Sequence, residues 1–339
     1  MKILLFSRKH LLAITFVFLT CIAVIMMFRL YPRSSAEKMV MGGKLYSQIV
    51  DKDQTPIATK AETSTYFRPS SLPALNERFN YSFFDPYADK KLSDISLPKE
   101  LLKSPEDTIV NYYSVLREAA NISENKYSGC GTIGNAQMPY PVAYQFLSAD
   151  YQKRLDYDQF LKSFLNILHT SLIKYKIVPV YDSPADQLRY FVEIETIQGS
   201  ENGVSNFVYY YAFLDIVKED GVYKIDDINY TGEDFLCAPY HGWSHDAESS
   251  VKIRYGEWCN MIKKMYPIKQ KDYIKQVSFQ GTDGNDYLIL FYQLTNNTDV
   301  EIAQYMKDKN KKWKLTKLDP EKCLEQKKST IAPSIETKQ

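Results

Sequence analysis

The 339-residue sequence lacks an excess of charge of either sign, because 42 lysine and arginine residues are balanced by 41 aspartate and glutamate residues. Without a basic surplus, binding to a phosphate backbone has no electrostatic support, so no nucleic-acid partner is expected. The sequence also lacks any motif that fixes a reaction, a ligand or a partner. Tyrosine, by contrast, is abundant at 27 residues. Many tyrosines fall in alternating stretches, where aromatic side chains suit a half-buried pleated surface, so the composition favours β-sheet.

One apolar run, residues 11–28, carries no charge. At about 1.5 Å per helical residue it nearly matches a hydrocarbon core of ~30 Å, which predicts a single transmembrane helix in contact with the lipid bilayer. A cleaved signal peptide is the alternative, although its apolar region is usually only about 7 to 15 residues long. Because Lys2, Arg8 and Lys9 precede the run, the positive-inside rule places residues 1–10 in the cytoplasm and the bulk of the chain outside it. The predicted localisation is therefore a single-pass membrane protein with an extracytoplasmic body.

The next segment, residues 29–103, is rich in Ser, Thr, Pro, Lys and Asp and shows no persistent period, which predicts a polar linker. Ser104 followed by Pro105 then provides an N-cap and a first helical position. Two further helices are predicted in PVAYQFL and LDYDQFLKSFLNILHTSLIKY. Four alternating segments follow, and Asn-Gly and Asp-Gly pairs between them are typical of hairpins. Helices followed by an antiparallel meander predict an α+β domain over residues 104–235.

A second unit, residues 236–320, repeats part of this plan. An apolar stripe at helical spacing predicts a helix over residues 246–266; its members are Val251, Tyr255, Trp258, Ile262 and Met265. Four strand-like segments come after it. The sequence therefore predicts a smaller unit of one helix and four antiparallel strands. One short spacing match with the first unit fits either a shortened repeat or an ordinary amphipathic edge strand. Residues 321–339 are predicted to be a disordered tail.

The first unit resembles a known family. The stretches SPEDTIVNYYSVL, FLSADYQKRLDYDQFLKSF and EDGVYKIDDI are similar to a nuclear transport factor two-like domain of the cystatin-like cone superfamily, over residues 104–230. The resemblance implies helices packed on a strongly curved antiparallel sheet, with a pocket between them. Enzymes of the superfamily hold acid-base residues in this cone, but the sequence offers no matching constellation. Related anchored domains occur in bacterial cell-envelope proteins, including scaffold subunits of conjugation machines, which implies an interaction role by analogy.

The densest cluster of ligand-type residues consists of Cys237, His241, His245 and Cys259. Zinc takes four Cys or His ligands, so a Cys2His2 site is one alternative, although the spacing is not that of a familiar finger. A disulfide between Cys237 and Cys259 is favoured over zinc and over reduced, packed cysteines, because extracytoplasmic compartments permit disulfides. It would close a loop of about 20 residues and stabilise the fold by ~3 kcal/mol. The other possible pair is Cys130 with Cys323, and three connectivities remain open. Apart from the zinc alternative, no cofactor is expected.

The candidate ligand or partner surface consists of aromatic side chains, namely Tyr209, Tyr210, Tyr211, Tyr240 and Trp243. These observations lead to the hypothesis of a non-catalytic, membrane-anchored binding or scaffolding protein of the cell envelope. Its cone domain would bind an envelope protein or a small ligand. The alternative is a hydrolase- or isomerase-like enzyme that uses the cone pocket or the Cys-His cluster. A cone enzyme would require His169, Asp215 and Asp226 to converge in a polar pocket, and His169 is predicted to lie on a helix.

Overall fold

A computed structural model describes residues 38–46, 73–123, 136–181, 187–200, 205–233 and 242–331. The helices and strands reported below lie within the unit Met39–Gln339. They confirm a mixed α+β architecture with two sheets whose strands are mainly antiparallel.

The predicted membrane localisation is not supported. Within the described ranges, none of the helices combines the length and the apolar character needed to cross a bilayer. A spanning helix needs about 20 apolar residues, whereas the longest helix in these ranges, Pro105–Arg117, has 13. The predicted cytoplasmic segment, residues 1–10, and the predicted transmembrane run, residues 11–28, lie outside the described residues. The single-pass localisation is therefore corrected.

The helices are short, and several of them begin at side-chain caps. The described ranges contain α1 (Pro105–Arg117), α2 (Pro139–Tyr144), α3 (Ala149–Arg154), α4 (Tyr157–Lys162), α5 (Ala247–Val251) and α6 (Pro320–Ile331). A π-helix, Lys252–Trp258, directly continues α5, and 3-10 helices occur at Tyr81–Tyr87, Leu92–Asp94, Lys99–Leu102 and Trp243–His245. As predicted, Ser104 caps α1: its hydroxyl oxygen accepts a hydrogen bond from the Asp107 N–H at 3.0 Å. Ser148 caps α3 in the same way, at 2.9 Å from the Tyr151 nitrogen.

The first sheet contains the predicted meander. Its strands are β1 (Met39–Val40), β2 (Gly43–Tyr46), β3 (Ile167–Val178), β4 (Leu188–Gln198), β5 (Asn206–Glu219) and β6 (Val222–Gly232), in the spatial order β1-β2-β6-β5-β4-β3. Strands β3 to β6 pair antiparallel in sequence order, as their alternating sequences predict, whereas β2 joins β6 in parallel. Helices α1 to α4 bury one face of this sheet, called here the helix face, against residues such as Val192, Leu214 and Ile228. The opposite face is called the sheet face.

The second sheet has the order β12-β11-β10-β9-β7, and β8 pairs with β9 beside it. Its strands are β7 (Ile262–Met265), β8 (Lys269–Lys271), β9 (Ile274–Gly281), β10 (Asp286–Gln293), β11 (Asp299–Lys307) and β12 (Trp313–Leu315). Side chains of α5 and the π-helix bury Phe279 and Ile289 on one side. On the other side, Tyr292 and Leu294 pack on the sheet face of the first sheet, against Phe191 and Tyr211. The two sheets therefore share a buried apolar layer.

Two predicted helices end earlier than their apolar periods indicate. In the stretch predicted as helical around His169, the helix stops at Lys162 and β3 begins at Ile167, so His169 lies on a strand. The predicted helix over residues 246–266 likewise gives way to β7. In both cases an asparagine with positive φ, Asn166 at 68° or Asn260 at 52°, separates helix from strand. Pairing with β4 or β9 then overrides the local helical period, because strand formation depends on tertiary context.

Segments predicted as linker and tail belong partly to the folded body. Phe84, Tyr87, Ile95 and Leu102 are buried in the same core as α1. Residues 39–46 supply the first two strands of the first sheet. In the predicted tail, α6 is joined by a disulfide to the end of the π-helix. In the linker, apolar and aromatic residues explain the difference, since a few buried side chains suffice to hold a segment on the core. In the tail, the disulfide holds the segment.

Candidate binding site

Tyrosine and phenylalanine fill the space between the helix face and helices α1 to α4. Tyr112, Tyr113, Tyr140 and Tyr230 are completely buried there. The Tyr113 and Tyr230 hydroxyls lie 2.9 Å apart and form a hydrogen bond. Burial raises the pKa of both hydroxyls well above the ordinary value, so they remain protonated. These groups can donate and accept hydrogen bonds, but they are poorly suited to act as bases near neutral pH.

The turn between β1 and β2 reaches into this cluster. Met41 is fully buried, and its N–H donates to the Ser163 carbonyl at 3.0 Å. The Gly42 N–H donates to the Ser163 hydroxyl at 2.7 Å, and the Gly42 carbonyl accepts from the Tyr151 hydroxyl at 2.7 Å. Residues 40–43 are called here the buried turn. The chain's own backbone thus occupies part of the space between the helix face and the helices that cover it.

The predicted tyrosine surface is largely covered, which corrects the expectation for β5. Tyr210 points into the helix-face core, where its ring lies 6.1 Å from that of Tyr230. Tyr209 and Tyr211 alternate onto the sheet face and are 6% and 9% exposed. There Tyr211 stacks on Phe191 at 5.5 Å beneath the second sheet. Strand alternation determined which face each tyrosine occupies, but the cover supplied by the second sheet had no local signal.

Phe207 is the exposed aromatic residue of this strand, with 56% of its surface accessible. It lies opposite Ile197 in β4 and alternates onto the sheet face with Tyr209 and Tyr211. Phe207 lies two residues before Tyr209, the first residue of the candidate surface that the sequence predicts on this strand. Phe207 lies next to the predicted hairpin turn, away from the strand centre. That position is the sequence signal that could have identified it as an exposed site residue.

The residues required for a cone enzyme do not converge. Asp215 alternates onto the sheet face, where both carboxylate oxygens accept hydrogen bonds from Arg189 at 2.6 and 2.8 Å. Asp226 accepts a hydrogen bond from the Ser148 hydroxyl at the N-terminus of α3. His169 lies on β3, and burial, together with the positive charge of Arg117, lowers its pKa. The aspartates thus have structural partners. His169 lies opposite Ile197 of β4, whereas Asp215 lies opposite a residue eight positions away on that strand.

The Cys-His cluster is also corrected. Cys259 forms a disulfide with Cys323, with a Cα–Cα distance of 5.1 Å, so it cannot pair with Cys237. The same bond removes Cys259 as a zinc ligand, because zinc binds the thiolate. Cys237, Tyr240 and His241 lie outside the described residues, whereas His245 ends a 3-10 helix. Within the described ranges, no three Asp, Glu, His or Cys side chains are grouped to hold a metal ion.

Trp243, the remaining aromatic candidate, is half-buried and packs edge-to-face on Trp258 with ring centroids 5.5 Å apart. This contact joins the Trp243–His245 helix to the π-helix. Such edge-to-face pairs contribute about 0.5–1.5 kcal/mol beyond area burial. The structure therefore gives Trp243 a packing contact within the second unit.

A buried ion pair lies where the two sheets meet. Glu193 of β4 is completely buried, and Lys174 of β3 approaches its carboxylate at 3.5 Å. The carboxylate also accepts hydrogen bonds from the Thr295 N–H at 2.8 Å and the Thr295 hydroxyl at 2.6 Å. Because Thr295 follows β10, these bonds tie the second sheet to the first. The Lys174 ammonium additionally lies 3.3 Å from the centroid of the Tyr273 ring.

Comparisons with known proteins add little to this geometry. No family model and no curated protein matches the chain. One similar solved structure is described as "Ntf2 like protein involved in plasmid conjugation", with 12% identity and a TM-score of 0.17 over 45% of this chain and 84% of that one. This weak likeness is loosely consistent with an NTF2-like fold and carries no argument about function.

Proposed function

We propose that this chain is a non-catalytic binding or scaffolding protein built on a cone of the NTF2-like kind. The observation that carries the proposal is the occupied interior. Protonated tyrosines, phenylalanines and the buried turn fill the space between helices and sheet, where an enzyme of this architecture would place its acid-base groups. With the interior used for packing, an outer surface is the better place for binding.

The surface proposed for a protein partner is the uncovered end of the sheet face around Phe207 and Ile197. Phe207 is 56% exposed, whereas Tyr209 and Tyr211 on the same face are buried. A large aromatic side chain held on a rigid strand loses little conformational freedom on binding, and such residues commonly anchor protein interfaces. A protein partner is favoured over a small ligand, because this position is an open strand surface and not a concave pocket.

The test places a photo-reactive phenylalanine analogue at position 207, in the full chain expressed in its native cells. Tyr81 provides a matched control position, because it is also an aromatic residue and is 50% exposed. We expect one protein to be cross-linked from position 207 and not from position 81. We also expect Phe207→Ser to dissociate that protein while leaving the melting temperature unchanged. Identical adducts at both positions, or a complex unaffected by Phe207→Ser, would contradict the proposal.

A further inference from the structure

The buried turn lies in a groove formed by β6, Ser163, Phe160 and Tyr151, and it fits this groove as a bound peptide would. A Cβ atom on Gly42 would lie 2.6 Å from a ring carbon of Phe160. One on Gly43 would lie 2.7 Å from the carbonyl oxygen of Ile228 and 2.8 Å from its side chain. These separations are too short for a real Cβ contact. The groove therefore rejects any side chain at two successive positions.

The backbone conformation of the turn adds to this selectivity. Gly42 has φ of 74°, a region that glycine enters readily and other residues rarely adopt. Met41 precedes it at φ of 48° and buries its whole side chain. An occupant of the groove must therefore supply a large apolar residue followed by two glycines. In this chain, residues 41–44 have the sequence Met-Gly-Gly-Lys.

Most of the polar recognition is directed to the backbone of the segment. Ser163 accepts from two successive N–H groups of the turn, through its carbonyl and its hydroxyl oxygen. The Tyr151 hydroxyl donates to the Gly42 carbonyl. Beyond the turn, β2 pairs in parallel with β6, where Leu45 lies opposite Tyr230. Main-chain pairing with side-chain selection at a few positions is the chemistry of β-strand addition by an extended peptide.

Chain connectivity does not require the groove to hold the turn of its own molecule. The segment 39–46 is joined to the rest of the body through residues 47–72, which number 26. A link of this length can span up to about 85 Å at ~3.3 Å per residue, so it does not confine the segment to the groove of its own molecule. The same contacts would form with a segment delivered by another molecule.

We propose that the groove formed by β6, Ser163, Phe160 and Tyr151 is a peptide-binding site for a Met-Gly-Gly segment, and that residues 39–46 of a second copy of this chain can occupy it. The segment within the same chain competes for the groove, so exchange depends on protein concentration. This proposal does not involve the Phe207 surface, and either can fail without the other.

The first test leaves the amino-acid sequences of the turn and of the groove unchanged. A protease site is inserted among residues 47–72, the full chain is folded and then cut, and a fluorescent peptide of residues 38–47 is added. We expect the peptide to bind the cut chain, and to bind the uncut chain at least tenfold more weakly. A matched peptide carrying Gly42→Ala and Gly43→Ala should fail to bind. Equal binding of both peptides, or no binding to a cut chain that retains its circular dichroism, would overturn the groove assignment.

The second test asks whether another copy donates the segment. A photo-reactive residue replaces Leu45, which lies opposite Tyr230, and isotopically heavy and light full-length chains are mixed before irradiation. We expect cross-links between a heavy and a light chain, increasing with protein concentration. If both chains carry Gly43→Val, these cross-links should disappear, because the valine side chain would overlap Ile228. Cross-links confined to single chains at every concentration would overturn exchange between copies.

Discussion

Replacement of Glu193 by leucine should destabilise the protein severely, because it removes the carboxylate that is paired with the buried Lys174 ammonium. Lys174 has only 7% of its side chain exposed, so water cannot replace the lost carboxylate. The Thr295 N–H and hydroxyl lose their acceptor in the same step. Breaking a buried ion pair by removing one partner typically costs about 3–5 kcal/mol. That is a large share of a total stability of ~5–15 kcal/mol.

Removal of both charges should behave differently. In Glu193→Leu with Lys174→Met, two apolar side chains of similar size replace the pair, and such replacements are often neutral. The apolar residues also extend the buried layer that Phe191 and Tyr292 already form between the sheets. We therefore expect the double variant to recover most of the loss, with a coupling energy of about 2–3 kcal/mol between the two substitutions.

The assay is equilibrium unfolding in urea, followed by tryptophan fluorescence, for the wild type, both single variants and the double variant. Asp150→Ala is the control, because Asp150 pairs with Lys153 at 2.8 Å but both side chains are mostly exposed. An exposed pair of this kind should leave the unfolding midpoint unchanged. If Glu193→Leu costs less than about 1 kcal/mol, or if the two single effects simply add, the buried pair does not hold the sheets together as argued.

Three further outcomes are expected from unfolding measurements. Reduction of the disulfide between Cys259 and Cys323, which are 64 residues apart, should cost about 4 kcal/mol through regained chain entropy; an unchanged free energy with dithiothreitol would refute this. Tyr140→Phe should leave stability unchanged or improve it, because this buried hydroxyl has no hydrogen-bond partner among the described residues, whereas Tyr230→Phe should lower it by about 1 kcal/mol. Because the folded pKa of His169 is lower than its ordinary value of 6.5, its contribution to stability is present above pH 6.5 and is lost as the pH falls from there through the folded value. His169→Asn should flatten that part of the pH profile, and an unchanged slope would contradict the assignment.

Local sequence determined much of the first sheet. Alternation over residues 188–230 and turn residues such as Asp220 and Gly221 predict the β4-β5-β6 meander, and the structure confirms it. The Ser104 cap is equally local, since donor and acceptor are three residues apart. These features depend on backbone propensity and side-chain period, which act over one or two turns or a single hairpin.

Only the tertiary structure determined which residues meet at the candidate sites and which of them are exposed. Gly42 meets Ser163 across 121 positions of sequence, so no local pattern indicates that the turn enters the tyrosine cluster. Cys259 meets Cys323 across 64 positions, whereas the sequence-based prediction paired Cys259 with the nearer Cys237. The sequence indicated that neighbouring tyrosines of β5 occupy opposite faces, but only the packing of the second sheet decided that Tyr211 is covered and Phe207 is not. Sequence period determines which side of a strand a residue occupies, whereas burial depends on what the rest of the chain brings to that side.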